Sequence, residues 1–166
     1  MARILVVDDE PDIRHIIRIV LEGDGHDVIE ADDGLTAYEV AREQHLDLVL
    51  LDAMMPGMDG DQLLDKLLGL DDFAAPVIMV TGRSDAAAVY MEMDAGAIDH
   101  ISKPFTTEEL RGTVTRMLEL SAEERDARRS MLSRSAATHA AIEELRSLGT
   151  DDKGEAQRPR RFRLSR

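Results

Sequence analysis

The chain has 166 residues, with 20 Lys and Arg against 34 Asp and Glu, a net charge of −14. That length suits one domain with its own core plus a short appendage, and so acidic a chain repels nucleic acid over most of its surface. The absence of cysteine excludes disulfides, thiolate nucleophiles and Cys-ligated zinc.

The opening Met-Ala-Arg-Ile-Leu-Val-Val-Asp-Asp does not read as a signal peptide, because the apolar run from Ile4 stops after four residues at two acids. It reads instead as a buried strand, Ile4–Val7. Glu10-Pro11 then precede Ile13, Ile16, Ile17, Val20 and Leu21, a three- and four-residue spacing that predicts an amphipathic helix closed by Gly23. Val28–Ala31 predicts a half-exposed strand, Thr36–Glu43 a helix, Leu46–Leu51 a strand and Gln62–Leu70 a helix. Val77–Val80 and Ile98–Ile101 predict two further strands, with a helix over Ala86–Ala95 between them ending at Gly96. The last predicted unit begins at Thr106, which has capping-box spacing to Glu109. Alternating strands and helices predict an α/β fold, a parallel sheet covered by helices on both faces.

After Leu120 the composition shifts, and we divide the chain into a main domain over 1–120, a helical extension over 121–148 and a basic tail over 149–166, expected to be disordered. Ser121 with Glu124 can cap a separate helix, or the preceding helix can run on. The extension has three readings: a soluble tail, a partner-binding helix and a segment for homodimerisation. Met131, Ile142, Leu145 and Leu148 do not make sustained heptads, which favours the first. From Asp151 onwards six Lys and Arg meet three acids, a local +3 that leaves −17 upstream. No apolar run approaches the roughly 20 residues that span a bilayer, and a cytoplasmic location is expected.

Asp8 and Asp9 follow the first strand, Asp52 the third, Thr81 ends the fourth and Lys103 follows the fifth, just before Pro104. Strand carboxyl ends converge on one edge of a parallel sheet, where such folds bind ligands. Three carboxylates would thus meet a hydroxyl and an ammonium, a crowding that calls for a cation. Mg²⁺ suits such a site because it takes oxygen ligands and keeps several waters. Taken singly, each of these residues reads more simply as a loop acid, a surface lysine or a strand-end threonine; it is their order that argues for a site. His15, His26, His45, His100 and His139 show no compact zinc spacing, and Met54, Met55 and Met58 read as loop packing.

The stretches VVDDEPDIR, LVLLDAMMPGMDG, VTG and SKPF, in this order over about Ala2–Glu119, resemble the receiver domains of two-component response regulators. The resemblance implies a doubly wound, flavodoxin-like sheet of order 2-1-3-4-5. It implies that Asp52 accepts a phosphoryl group from a sensor histidine kinase or phosphotransfer protein. Mg²⁺ would be held by Asp9, Asp52 and the backbone carbonyl of Met54, with Asp8 acting through water, while Thr81 and Lys103 hold phosphoryl oxygens. Chemistry would be confined to self-phosphorylation and self-dephosphorylation at Asp52. Thr81 would then move towards the phosphate and alter the surface read by a downstream protein partner. Such receivers usually carry Tyr or Phe where this chain has His100, so its switch is expected to respond to pH. The alternatives are a DNA-associated transcriptional regulator acting through the basic tail and a receiver-shaped interaction module. Specific DNA binding is not expected, since the 46 residues after Leu120 show no helix-turn-helix pattern.

Overall fold

A computed structural model describes residues 1–82, 96–128, 130 and 131. In chain order these form β1 (Arg3–Val7), α1 (Pro11–Gly23), β2 (Asp27–Ala31), α2 (Gly34–Glu43), β3 (Leu48–Asp52), α3 (Gly60–Leu68), β4 (Val77–Thr81), β5 (Asp99–Ser102) and α4 (Thr107–Glu119). All strand pairs are parallel and the sheet order is β2-β1-β3-β4-β5. This is the flavodoxin-like order that the resemblance implied. The helix expected over Ala86–Ala95 and the tail over 149–166 lie outside the described residues.

The strands sort their side chains by the two-residue period of the pleat. Leu5, Val7, Val49, Leu51, Val77 and Met79 pack with Ala37 of α2 and with Leu63, Leu64 and Leu67 of α3. Ile4, Val6, Leu48, Leu50, Ile78 and Val80 face the other way, onto Ile17 and Leu21 of α1 and Leu110, Val114 and Met117 of α4. Both faces of the central strands are therefore covered, which explains why β3 and β4 are buried at every position and read as unbroken apolar runs.

Element ends differ from expectation by a residue or two, and each shift has a local cause. β3 starts at Leu48 rather than Leu46, because the Asp47 amide donates to the Arg3 carbonyl at 2.8 Å while its carboxylate accepts from the Arg3 amide at 2.7 Å. α2 and α3 begin two residues early, since Asp33 and Asp59 act as N-caps by accepting from the Thr36 and Gln62 amides. The Thr106–Glu109 capping box forms in both directions. At Leu120 the backbone turns extended, with ψ 135°. Ser121 and Glu124 then exchange backbone-to-side-chain bonds of 2.8 and 3.2 Å. The helix over 122–128 is thus separate from α4. Among the described residues no helix is long and apolar enough to cross a membrane.

Candidate functional site

The parallel sheet brings the ends of β1, β3 and β4 and the residue after β5 to one edge. Asp8, one residue beyond β1, is 1% exposed, and Asp52, the last residue of β3, is 3% exposed. Thr81 ends β4 and is fully buried. The Lys103 amide donates to the Thr81 carbonyl at 2.7 Å, which extends the β4–β5 ladder by one step and aims the Lys103 side chain back across the sheet edge. Its ammonium lies 2.8 Å from Asp8 Oδ2, 3.2 Å from Asp52 Oδ2 and 3.2 Å from Glu10 Oε1.

Asp8, Glu10 and Asp52 offer carboxylate oxygens within 4.8 Å of one another. Glu10 was not singled out from the sequence. It is the N-cap of α1 but makes no side-chain cap bond, and its carboxylate turns to Lys103 instead. A glutamate where Ser, Thr, Asp or Asn caps better was the available signal. Asp9, expected to hold the cation, is exposed and lies outside the set of three. The Met54 amide donates to Asp52 Oδ1 at 3.1 Å, so the loop after β3 folds back on the carboxylate that begins it. His100 is half-buried in β5, in register with Met79.

Burial pushes the Asp52 carboxyl up from its ordinary value; the Met54 N–H opposes this, the Asp8 charge adds to it, and Lys103 opposes it again. Burial pulls the Lys103 ammonium down, but the hydrogen bond to Asp8 and the charges of Asp52 and Asp8 outweigh it and leave the group raised. Lys103 is therefore charged throughout the physiological range. One ammonium against three carboxylates leaves the cluster two charges negative, and its donors are all oxygen. That donor set fits a hard divalent cation such as Mg²⁺ and not a soft one.

Two glycines shape the edge. A Cβ on Gly60, the first residue of α3, would meet the Asp52 carbonyl oxygen at 2.3 Å and Ala53 Cα at 2.8 Å. The absence of a side chain thus lets α3 start against the phosphoacceptor candidate's own backbone. Gly57 holds a φ of +84°, in the left-handed region.

Residues 4–115 match the response regulator receiver domain family model. Over 122 residues the chain is 39% identical to the DNA-binding response regulator MtrA of Mycolicibacterium smegmatis, covering 74% of this chain and 53% of that protein. The receiver domain of NtrX from Brucella abortus superposes with a TM-score of 0.67 at 35% identity, covering 71% of this chain and 99% of that one. The receiver domain of a sensor histidine kinase from Pseudomonas aeruginosa, solved with a magnesium ion coordinated in its active-site cleft, gives 0.67 at 27% identity over 72% and 98%. The chain spans about half the length of the curated relatives it matches. Fold, strand-end cluster and family match agree, and the chain belongs to the response regulator receiver domain family.

Proposed function

We propose that this protein is a phosphorylation-dependent switch of a two-component phosphorelay, with Asp52 as the phosphoacceptor. The observation that carries the reading is a buried Asp52 carboxylate whose Oδ2 lies 3.2 Å from the Lys103 ammonium, beside the buried Asp8. A carboxylate so placed can attack phosphorus in line, and Lys103 can leave its carboxylate partners to hold a phosphoryl oxygen as charge moves onto it. With a phosphohistidine donor on a kinase or phosphotransfer protein, the P–N bond breaks as the Asp52 O–P bond forms, and its electron pair remains on the ring nitrogen. Water later attacks the acyl phosphate and restores the carboxylate, so the record of the signal is temporary.

Asp8, acting through water, and Asp9, Asp52 and the Met54 carbonyl are the groups assigned to Mg²⁺; Glu10 is a further acid close enough to affect it. Mg²⁺ supplies charge neutralisation, for the clustered carboxylates and for the incoming phosphoryl group. Thr81 is assigned the remaining phosphoryl oxygen and, with His100, the switch that a downstream protein reads. Chemistry beyond transfer and hydrolysis at Asp52 is not proposed, and the cytoplasm is the compartment that suits such a phosphorelay.

The decisive experiment measures intact mass with a small phosphodonor, with and without Mg²⁺, for wild type and Asp52→Ala. Gain of one phosphoryl group that needs Mg²⁺ and is lost in the variant is expected. No gain with any of several donors, together with no Mg²⁺ binding, would leave a receiver-shaped interaction module. A second reading, regulation of DNA, is favoured by the relatives named as DNA-binding response regulators. For this chain its contact surface would be the basic stretch over 149–166.

A further inference from the structure

We propose that Arg14 is a positioning residue of the cation site, holding the Asp8 peptide in place from the second turn of α1. The inference rests on Asp8 being part of a divalent-cation site. Arg14 Nη1 donates to the Asp8 carbonyl at 2.6 Å, and its side chain is only 15% exposed. Asp8 is engaged at other points as well. Its amide donates to the Ala31 carbonyl at 3.2 Å, Oδ1 accepts from the Glu10 amide at 2.9 Å, and Oδ2 faces Lys103 at 2.8 Å.

Neither amide bond engages the Asp8 carbonyl, which heads the Asp8–Asp9 peptide unit, and that is the group Arg14 grips. A peptide rotation there would carry Asp9 and the Glu10 amide with it, and so turn the Asp8 carboxylate. Arg14 is itself braced from β2. Its Nε lies 3.7 Å from Glu30 Oε1, and Arg18, one turn further along α1, reaches Glu30 Oε2 at 2.9 Å. The acid loop after β1 is thereby tied to both α1 and β2 by one guanidinium. A planar fork can grip a carbonyl and face a carboxylate at the same time, which a lysine ammonium does less well.

Arg18 supplies an internal control. It shares Glu30 with Arg14 but otherwise turns to Glu22 at 3.3 Å and His15 at 2.9 Å rather than to Asp8. The test titrates Mg²⁺ alone into the full chain by calorimetry, for wild type, Arg14→Met, Arg14→Lys and Arg18→Met, with thermal unfolding recorded for each. Loss of Arg14 is expected to weaken Mg²⁺ binding about tenfold, as loss of an outer partner of a metal ligand commonly does. Arg14→Lys should recover part of that loss, and Arg18→Met should stay within about twofold of wild type.

A merely structural role predicts that affinity follows stability, so that Arg14→Met and Arg18→Met fall together; that result overturns the proposal, as does wild-type affinity in Arg14→Met. Should Arg14→Met not fold, Arg14→Lys carries the comparison, with about threefold weaker binding expected and unchanged binding against it. A wild type that does not bind Mg²⁺ at all overturns the cation reading itself, and this inference with it.

Discussion

Asp52, the proposed nucleophile, is buried, and the same burial that raises its carboxyl makes its charge a cost to the fold. A carboxyl raised in the folded state favours folding when protonated; that benefit is complete below the unfolded value, near 3.8, and is lost as pH rises through the folded value. Asp52→Asn should therefore be more stable than wild type at pH 7, by about 1 kcal/mol on the ordinary scale of single substitutions, and no more stable near pH 3. Urea unfolding at the two pH values checks the sign. Mg²⁺ should then stabilise wild type more than the variant, since it binds the folded cluster. Lys103 gives the opposite case. Its removal strands Asp8 and Asp52 without their shared cation, and loss of one partner from a buried pair costs about 3 kcal/mol. Lys103→Met should show a loss of that order in Mg²⁺-free urea titrations at pH 7, shrinking on acidification as the raised Asp52 carboxyl protonates. Most of this cluster could be read in the sequence, because a parallel sheet delivers Asp8, Asp52, Thr81 and Lys103 to one edge whatever the loops do. Glu10 and Arg14 could not be read in this way. Their placement depends on how the chain leaves β1, with Glu10 at φ −81° and ψ 110° before α1 begins, and two residues of loop path decide whether Asp9 or Glu10 faces Lys103.

At the scale of the elements, the βα order was legible because buried parallel strands are short apolar runs and their helices carry capping residues at the start. The exact ends were not, because Asp33, Asp47 and Asp59 spend their side chains on local backbone groups that periodicity does not register. The start of α3 is the most constrained of these ends. Gly60→Ala would press a methyl group into the backbone of Asp52 and Ala53. It should cost about 2–3 kcal/mol, in the range of overpacking, and slow Mg²⁺-dependent phosphorylation of Asp52. Gly34→Ala, at the start of α2, would meet Met58 Sδ at 2.9 Å and its Cγ and Cβ at 3.0 Å; Sδ and Cγ can turn away and Cβ must give by a few tenths of an ångström, so it should cost about 1 kcal/mol, less than Gly60→Ala. Thermal unfolding of the pair, with phosphorylation rates beside it, tests whether it is the backbone at Asp52 that cannot yield. Beyond α4, the Ser121–Glu124 box starts a second helix that returns to β5. There Arg128 Nε donates to the Ile98 carbonyl at 2.9 Å and Nη2 lies 3.1 Å from Asp99, which Arg116 contacts at 2.6 Å. Arg128→Ala should speed amide exchange across 122–128 by about tenfold, the factor that corresponds to roughly 1.4 kcal/mol. Mg²⁺ affinity should not change, since Asp99 lies at the end of β5 away from Lys103. Unchanged exchange would mean that Arg128 does not hold this helix to the sheet.

The whole molecule carries its charge unevenly, −17 upstream of a stretch that carries +3, and this asymmetry bears on whether the chain engages DNA through its basic end. Six Lys and Arg lie between Asp151 and Arg166, and each neutralised phosphate contributes about −0.9 to the slope of log affinity against log salt. Contact through this stretch alone therefore sets a ceiling: a slope no steeper than about −5, from all six cations on duplex DNA. The acidic receiver opposes the approach, and the Debye length of about 10 Å at 0.1 M salt limits that repulsion to DNA held close to it. Filter retention of labelled duplex across a salt series, for the full chain and for a chain ending at Leu148, separates the possibilities. Weak, sequence-independent retention at low salt that disappears on removal of 149–166 supports regulation at DNA through the basic end. No retention at low salt leaves a protein partner as the reader of the phosphorylated state. A slope well beyond −5, or retention that survives the deletion, would require cations upstream of the tail, on the receiver or the extension, to face DNA against a net charge of −17.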